Sequence, residues 1–197
     1  WWRAEGSGQD HMALNDAEEQ NGATYADGRI GQAFSLDGDN DFMRVVNPSN
    51  IPLGASARTF VAWINSSGIT SGNTYQGIIG YGVPELGTGK SIYFERGGND
   101  ASSENNKLFI MDLRTGDAGT IDLAFNQWWH VAYTNDGTTA NLYVNGTLDG
   151  SEPITHSTVM DTTGFMIGNV PWLEGWHRNF RGLIDEVAVF SRALTGD

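Results

Sequence analysis

The 197-residue chain has no cysteine, only two lysines, only five prolines and no apolar run long enough to cross a membrane as a helix. Without cysteine it can have no disulfide scaffold, no thiolate metal site and no thiol nucleophile. Nothing in it has the form of a signal peptide. Because lysine is scarce, 11 basic residues face 24 acidic ones, for a formal charge of −13. A surface this negative repels phosphate backbones and anionic membranes, which argues against nucleic acid as a partner and against membrane insertion. Neutral ligands and divalent cations stay open, and most of the carboxylates are expected to form a solvated acidic surface. The chain opens on Trp1 rather than Met, so we expect a piece of a longer polypeptide, with other domains of the same chain among its partners.

What is present is β chemistry. Short β-branched and aromatic runs alternate with Gly, Asn, Asp and Ser clusters, and no window carries a convincing amphipathic helix. Strands are predicted near Gln32 to Leu36, Phe42 to Val46, Arg58 to Ile64, Gly77 to Tyr81, Ser91 to Phe94 and Lys107 to Leu113. Further strands are predicted near Trp128 to Thr134, Thr139 to Val144, Gly164 to Ile167 and Gly182 to Phe190. With 26 glycines marking turns and no internal repeat or Pro-rich linker, one all-β, antiparallel two-sheet sandwich of jelly-roll type is the economical reading.

Two hairpins stand out. Asn135-Asp136-Gly137 separates Val131 and Tyr133 from Leu142 and Val144, so those strands should pair antiparallel, and a second turn follows at Asn145-Gly146. Asp37-Gly38-Asp39-Asn40 lies between Phe34, Leu36 and Phe42, Val45 and reads as another hairpin. The strand over Gly182 to Phe190 is apolar on both faces and belongs mid-sheet, which makes Asp185 a costly carboxylate unless paired or metal-bound. Phe34, Phe60, Trp63, Tyr143 and Trp128 or Trp129 are core candidates.

The order of motifs resembles the laminin-G-like, concanavalin-A-like jelly-roll superfamily in its bacterial form. The matching pieces are Trp1-Trp2 with Glu5-Gly6-Ser7-Gly8, GRIGQAFSLDGDNDF at 28–42, FVAWINS at 60–66, QWWHVAYTNDGTTANLYVNG at 127–146, MIGN at 166–169 and FRGLIDEVAVFSRALT at 180–195. The resemblance implies stacked concave and convex sheets and a structural Ca²⁺ on the convex side. By position, Asp185 would give a carboxylate and Gly38 a carbonyl, with Asp39, Asp41 or Glu5 completing the shell. The Asp-Gly-Asp-Asn-Asp loop is rich in the oxygens a hard cation needs. It is not an EF-hand, because its twelfth place is Pro48.

Catalysis finds little support. The Glu-x-Asp-x-x-Glu string of related glucanases is absent, Asp185 and Glu186 point to opposite faces, and Glu95 has no acidic neighbour two residues away. Binding is better supported. Trp172 and Trp176 stand in a Gly- and Pro-marked segment with His177 and Arg178, where indole faces could stack on the C–H surface of a sugar and the polar groups could bind its hydroxyls. Tyr81, Tyr93 and Arg96 of the middle segment add further contacts. The expected function is therefore a non-catalytic, lectin-like or adhesive module of a secreted or surface protein that meets a glycan or cell-surface ligand. A protein-interaction domain is the alternative, and a polysaccharide-degrading enzyme comes third.

Overall fold

The computed structural model describes residues 1–69, 75–85, 91–97, 106–111, 116–154, 157–160, 164–171 and 178–195. Among them are fourteen strands and no helix: β1 (Glu18–Gln20), β2 (Thr24–Asp27), β3 (Gln32–Asp37), β4 (Phe42–Val45), β5 (Arg58–Ser66), β6 (Tyr75–Gly82), β7 (Ser91–Gly97), β8 (Leu108–Met111), β9 (Gly116–Ala118), β10 (Trp129–Asn135), β11 (Thr139–Val144), β12 (Thr147–Pro153), β13 (Phe165–Ile167) and β14 (Arg181–Phe190). They form two seven-stranded antiparallel sheets. The first runs β1-β4-β13-β6-β7-β8-β9 and the second β12-β11-β10-β5-β14-β3-β2. All ten predicted strands are present. The additional ones, β1, β2, β9 and β12, are short or lie toward sheet margins, where one-sided burial leaves little apolar signal.

β14 lies between β5 and β3, as its two apolar faces require. The β10–β11 hairpin closes at the Asp136 turn, whose Oδ1 accepts the Thr138 and Thr139 N–H groups, each at 2.8 Å. The β11–β12 hairpin turns through Asn145 (φ 50°) and Gly146 (φ 80°), the paired left-handed geometry of a two-residue hairpin. The Asp37–Asp41 segment differs from expectation. β3 pairs with β2 and β14 while β4 pairs with β1 and β13, so this segment is an arch between sheets and not a hairpin. Sequence alternation is the same for both, since each needs polar turn residues between two half-buried strands.

Between the sheets the inward positions form one apolar layer. Met43, Ile79, Ile92, Phe94, Phe165 and Ile167 of the first sheet face Phe34, Phe60, Ile64, Val131, Tyr133 and Ile184 of the second. Phe60 sits at its centre, with ring centroids 5.3 Å from Tyr133, 6.0 Å from Tyr81 and 6.5 Å from Phe94. Arg58 is also fully enclosed. Its Nη1 donates to the Tyr81 hydroxyl (2.6 Å) and Thr158 Oγ1 (3.0 Å), and its Nη2 donates to the Gly54 carbonyl (2.6 Å). Replacing Phe60 with Ala should cost about 3–5 kcal/mol in urea unfolding. A loss below about 1 kcal/mol, within the range of an ordinary surface substitution, would mean that Phe60 is not the centre of the packing.

Candidate functional site

Strand alternation gives the first sheet an outer face. Tyr75, Gly77 and Gly80 of β6, Tyr93 and Glu95 of β7, and Phe109 and Met111 of β8 point away from the core. Asn169 and Val170, just after β13, lie directly on this face. A Cβ on Gly80 would come within 2.5 Å of Val170 Cγ1, and one on Gly77 within 2.8 Å of the Asn169 backbone, so both positions need glycine for this approach. The Gly77 N–H donates to the Arg178 carbonyl (2.7 Å), and the Phe180 N–H donates to that of Gly168 (2.8 Å). Val170 packs with Tyr93 and Met111.

The same face holds a buried ion pair. The Arg178 guanidinium bonds Glu95 and lies 4.6 Å over the Tyr75 ring, which packs 5.1 Å from Phe109. Glu95 is fully enclosed, and among the described residues its Oε1 has no hydrogen-bond partner. Burial pushes the Glu95 carboxyl above its ordinary range, while the charge of Arg178 pulls it back. Among the described residues the side-chain partner of this carboxyl is an arginine, Arg178.

Of the expected ligand residues, Arg178 and Tyr93 share this face, but both are buried there, Arg178 against Glu95 and Tyr93 against Val170. Tyr81 and Arg96 do not belong to it. Tyr81 faces the core and donates to the Pro52 carbonyl (2.7 Å), and burial pushes its phenol up to about 12. Arg96 also points inward, donating to Asn106 Oδ1 (2.8 Å) and the Leu123 carbonyl (2.7 Å), with the Phe125 ring 4.2 Å away. Burial lowers its pKa to about 10. Both residues alternate with outward neighbours in β6 and β7, so strand parity turns them from candidate contacts into core. Trp172, Trp176 and His177 lie outside the described residues.

The expected calcium set does not converge. Asp185 is enclosed, its Oδ2 accepts the Ile30 N–H (2.9 Å), and among the described residues its Oδ1 has no partner. Burial raises its pKa. Glu5 reaches the same β2–β3 turn, accepting the Gln32 N–H (3.3 Å), and its Oε1 would lie 2.1 Å from a Cβ on Gly31. Gly38, Asp39 and Asp41 sit at the other end of β3, because Ile184 pairs with Phe34 while Arg181 pairs with Asp37. There Gly38 packs on Arg181, the Asp41 carboxylate accepts the Asp37 N–H (3.2 Å), and the Asp39 carbonyl accepts a hydrogen bond from Asn179. These groups shape the arch. Among the described residues no cluster of three or more His, Asp or Glu side chains gathers. The part of the set that shares one place is Asp185 and Glu5, each of which accepts an N–H of the β2–β3 turn, and carboxylate oxygens beside backbone carbonyls are the donors a hard cation takes.

The second sheet also has an outer face, and sequence reading misplaced its main residue. Phe60, Ala62 and Ile64 face the core, so Trp63 faces out, with His130 as its cross-strand partner on β10 and Asp185 on β14. The alternation within FVAWINS carries this signal, but the size of the indole outweighed it.

The chain belongs to the concanavalin A-like lectin/glucanases superfamily, whose family model matches residues 37–197. No curated protein matches it in sequence. Among solved structures it is similar to domain 4 of AbnA, a GH43 extracellular arabinanase from Geobacillus stearothermophilus, in complex with arabinotriose. That likeness has 21% identity and a TM-score of 0.70, over 96% of this chain and 89% of that one. It is also similar to the CBM40 of the Ruminococcus gnavus IT-sialidase bound to α2,3-sialyllactose (16% identity, TM-score 0.55, 71% and 78% covered). A third is the binding domain of Paraclostridial Mosquitocidal Protein 1 (16%, 0.66), which covers 98% of this chain, while this chain spans half of that domain.

The ion pair is open to a direct test. Arg178→Met strands a buried carboxylate and should cost about 3–5 kcal/mol, whereas Glu95→Leu with Arg178→Met should recover most of that loss. In the single variant the folded-state pKa of Glu95 lies further above its unfolded value. The folded form then binds more protons, so stability should rise as pH falls toward the unfolded pKa. Chemical denaturation of both variants across pH measures this, and equal losses in the single and double variants would refute it.

Proposed function

We propose that the chain is a non-catalytic carbohydrate-binding module of a larger extracellular or surface protein, stabilised by calcium at the Asp185–Glu5 turn. The observation that carries the binding reading is the full-length likeness to a domain solved with arabinotriose, within a superfamily described by its lectins and glucanases. Likeness to binding domains, the sialidase CBM40 and the mosquitocidal-protein binding domain among them, supports binding without hydrolysis. An extracellular setting is supported by relatives that are domains of an extracellular arabinanase and of toxins. A charge of −13 favours neutral glycans over uronate-rich or sulfated ones.

Isothermal titration against neutral oligosaccharides, including arabinotriose, should give saturable binding, and incubation with the parent polysaccharides should release no new reducing ends. A panel with no binder would remove the module reading, and new ends would restore an enzymatic one. For calcium, EDTA should lower the melting temperature and Ca²⁺ should restore it. Free calcium at about 100 times Kd contributes about 2.7 kcal/mol. Asp185→Asn should abolish this response, and an unchanged melting temperature in EDTA would remove the metal.

A further inference from the structure

The outer face of the second sheet holds an open pocket of about 640 Å³, lined by Arg29, Trp63, Gln127, Trp128, His130 and Asn145. Its volume lies within the range of small-ligand sites, roughly 300–1,000 Å³. The pocket follows from register. Trp63 of β5 is paired with His130 of β10, and the His130 N–H donates to Asn145 Oδ1 (3.0 Å) in the β11–β12 turn. The two rings meet edge-on at 5.2 Å, and the Arg29 guanidinium of the β2–β3 turn lies 4.8 Å from the centre of the Trp63 ring.

The hydrogen-bonding inventory of this pocket is unusual. Among the described residues, no protein group takes a hydrogen bond from the Arg29 guanidinium, the Gln127 amide, the His130 ring or the indole N–H of Trp63 or Trp128. Asn145 spends its carbonyl on His130 and keeps its amide NH₂. Four polar side chains therefore ring two half-buried indoles with hydrogen-bonding capacity to spare, Arg29 and His130 meeting Trp63 through ring contacts only. Burial lowers the pKa of His130, so at neutral pH its imidazole is uncharged and offers one donor and one acceptor. Flat apolar faces rimmed by unengaged polar groups of both senses match a sugar residue, which has C–H faces and equatorial hydroxyls.

We propose that this pocket on the second sheet is a binding site for a neutral sugar residue of a polysaccharide, with Trp63 and Trp128 as the stacking surface and Arg29, Gln127, His130 and Asn145 as hydroxyl partners. The inference rests on the module reading and places its contact on the sheet opposite the Glu95–Arg178 face. Arg29 and Gln127 are exposed, so their removal leaves the core intact.

Titration of arabinotriose, xylotriose and cellotriose into the wild type and into Trp63→Ala, Arg29→Ala and Gln127→Ala, each checked for unchanged circular dichroism, tests the site. Trp63→Ala should weaken binding of the preferred trisaccharide at least about tenfold, and the two polar variants about threefold or more. Wild-type binding that all three variants retain would overturn this site and leave the module reading intact. A wild type that binds none of the three, nor any neutral glycan of the wider panel, would overturn both.

Discussion

Everything in this molecule hangs on the contact between two sheets across one aromatic layer. Phe60 is its pivot: it belongs to β5 near the middle of the second sheet and touches Tyr81 and Phe94 of the first as well as Tyr133 beside it. Once Phe60 faces inward, a period of two fixes the orientation of the strand. Ala62 and Ile64 follow it inward and Trp63 must face out. Pairing then propagates that choice to β10 and β14, bringing His130 and Asp185 into register with Trp63. The packing decision that builds the core also builds the outer row.

The two outer faces meet their polar demands differently. On the first sheet Asn169 and Val170 lie over the face, helped by glycines at 77 and 80, and an enclosed carboxylate there is neutralised by Arg178. On the second sheet the turns at either side leave space, and the polar groups stay unengaged. A protein gains nothing in stability from half-burying a histidine and two tryptophans with their donors unspent. Such a surface makes physical sense as a place where something else supplies the partners.

Much of the fold was legible because its signals are local. Asp136-Gly137 and Asn145-Gly146 dictate tight turns, and the double apolar face of β14 demands a central place. What was not legible depended on which sheet a strand joins. The Asp37–Asp41 arch has the composition of a hairpin, and nothing in five turn residues says whether the next strand returns beside the last or crosses the core. The same ambiguity scattered the metal candidates. Glu5 and Asp185, far apart in sequence, meet at one turn, while Asp39 and Asp41, which look like their natural companions, stand at the opposite end of β3. Tyr81 and Arg96 were misjudged for a simpler reason: they belong to a middle segment of the kind that shapes specificity in this superfamily, and their places in the inward alternation ruled out contact.

The enclosed arginines give the protein two electrostatic regimes. Arg58 and Arg96 are held by carbonyl, hydroxyl and amide oxygens at 2.6–3.0 Å, with no carboxylate among these partners. Ion–dipole contacts of that length, sealed from solvent, lie beyond the reach of mobile counterions. Outside, the surplus of carboxylates responds to every change in salt, and dissolved cations relieve its self-repulsion. A brine that quiets the exterior therefore leaves the internal cation bonds untouched, so added electrolyte removes a strain without loosening a clamp.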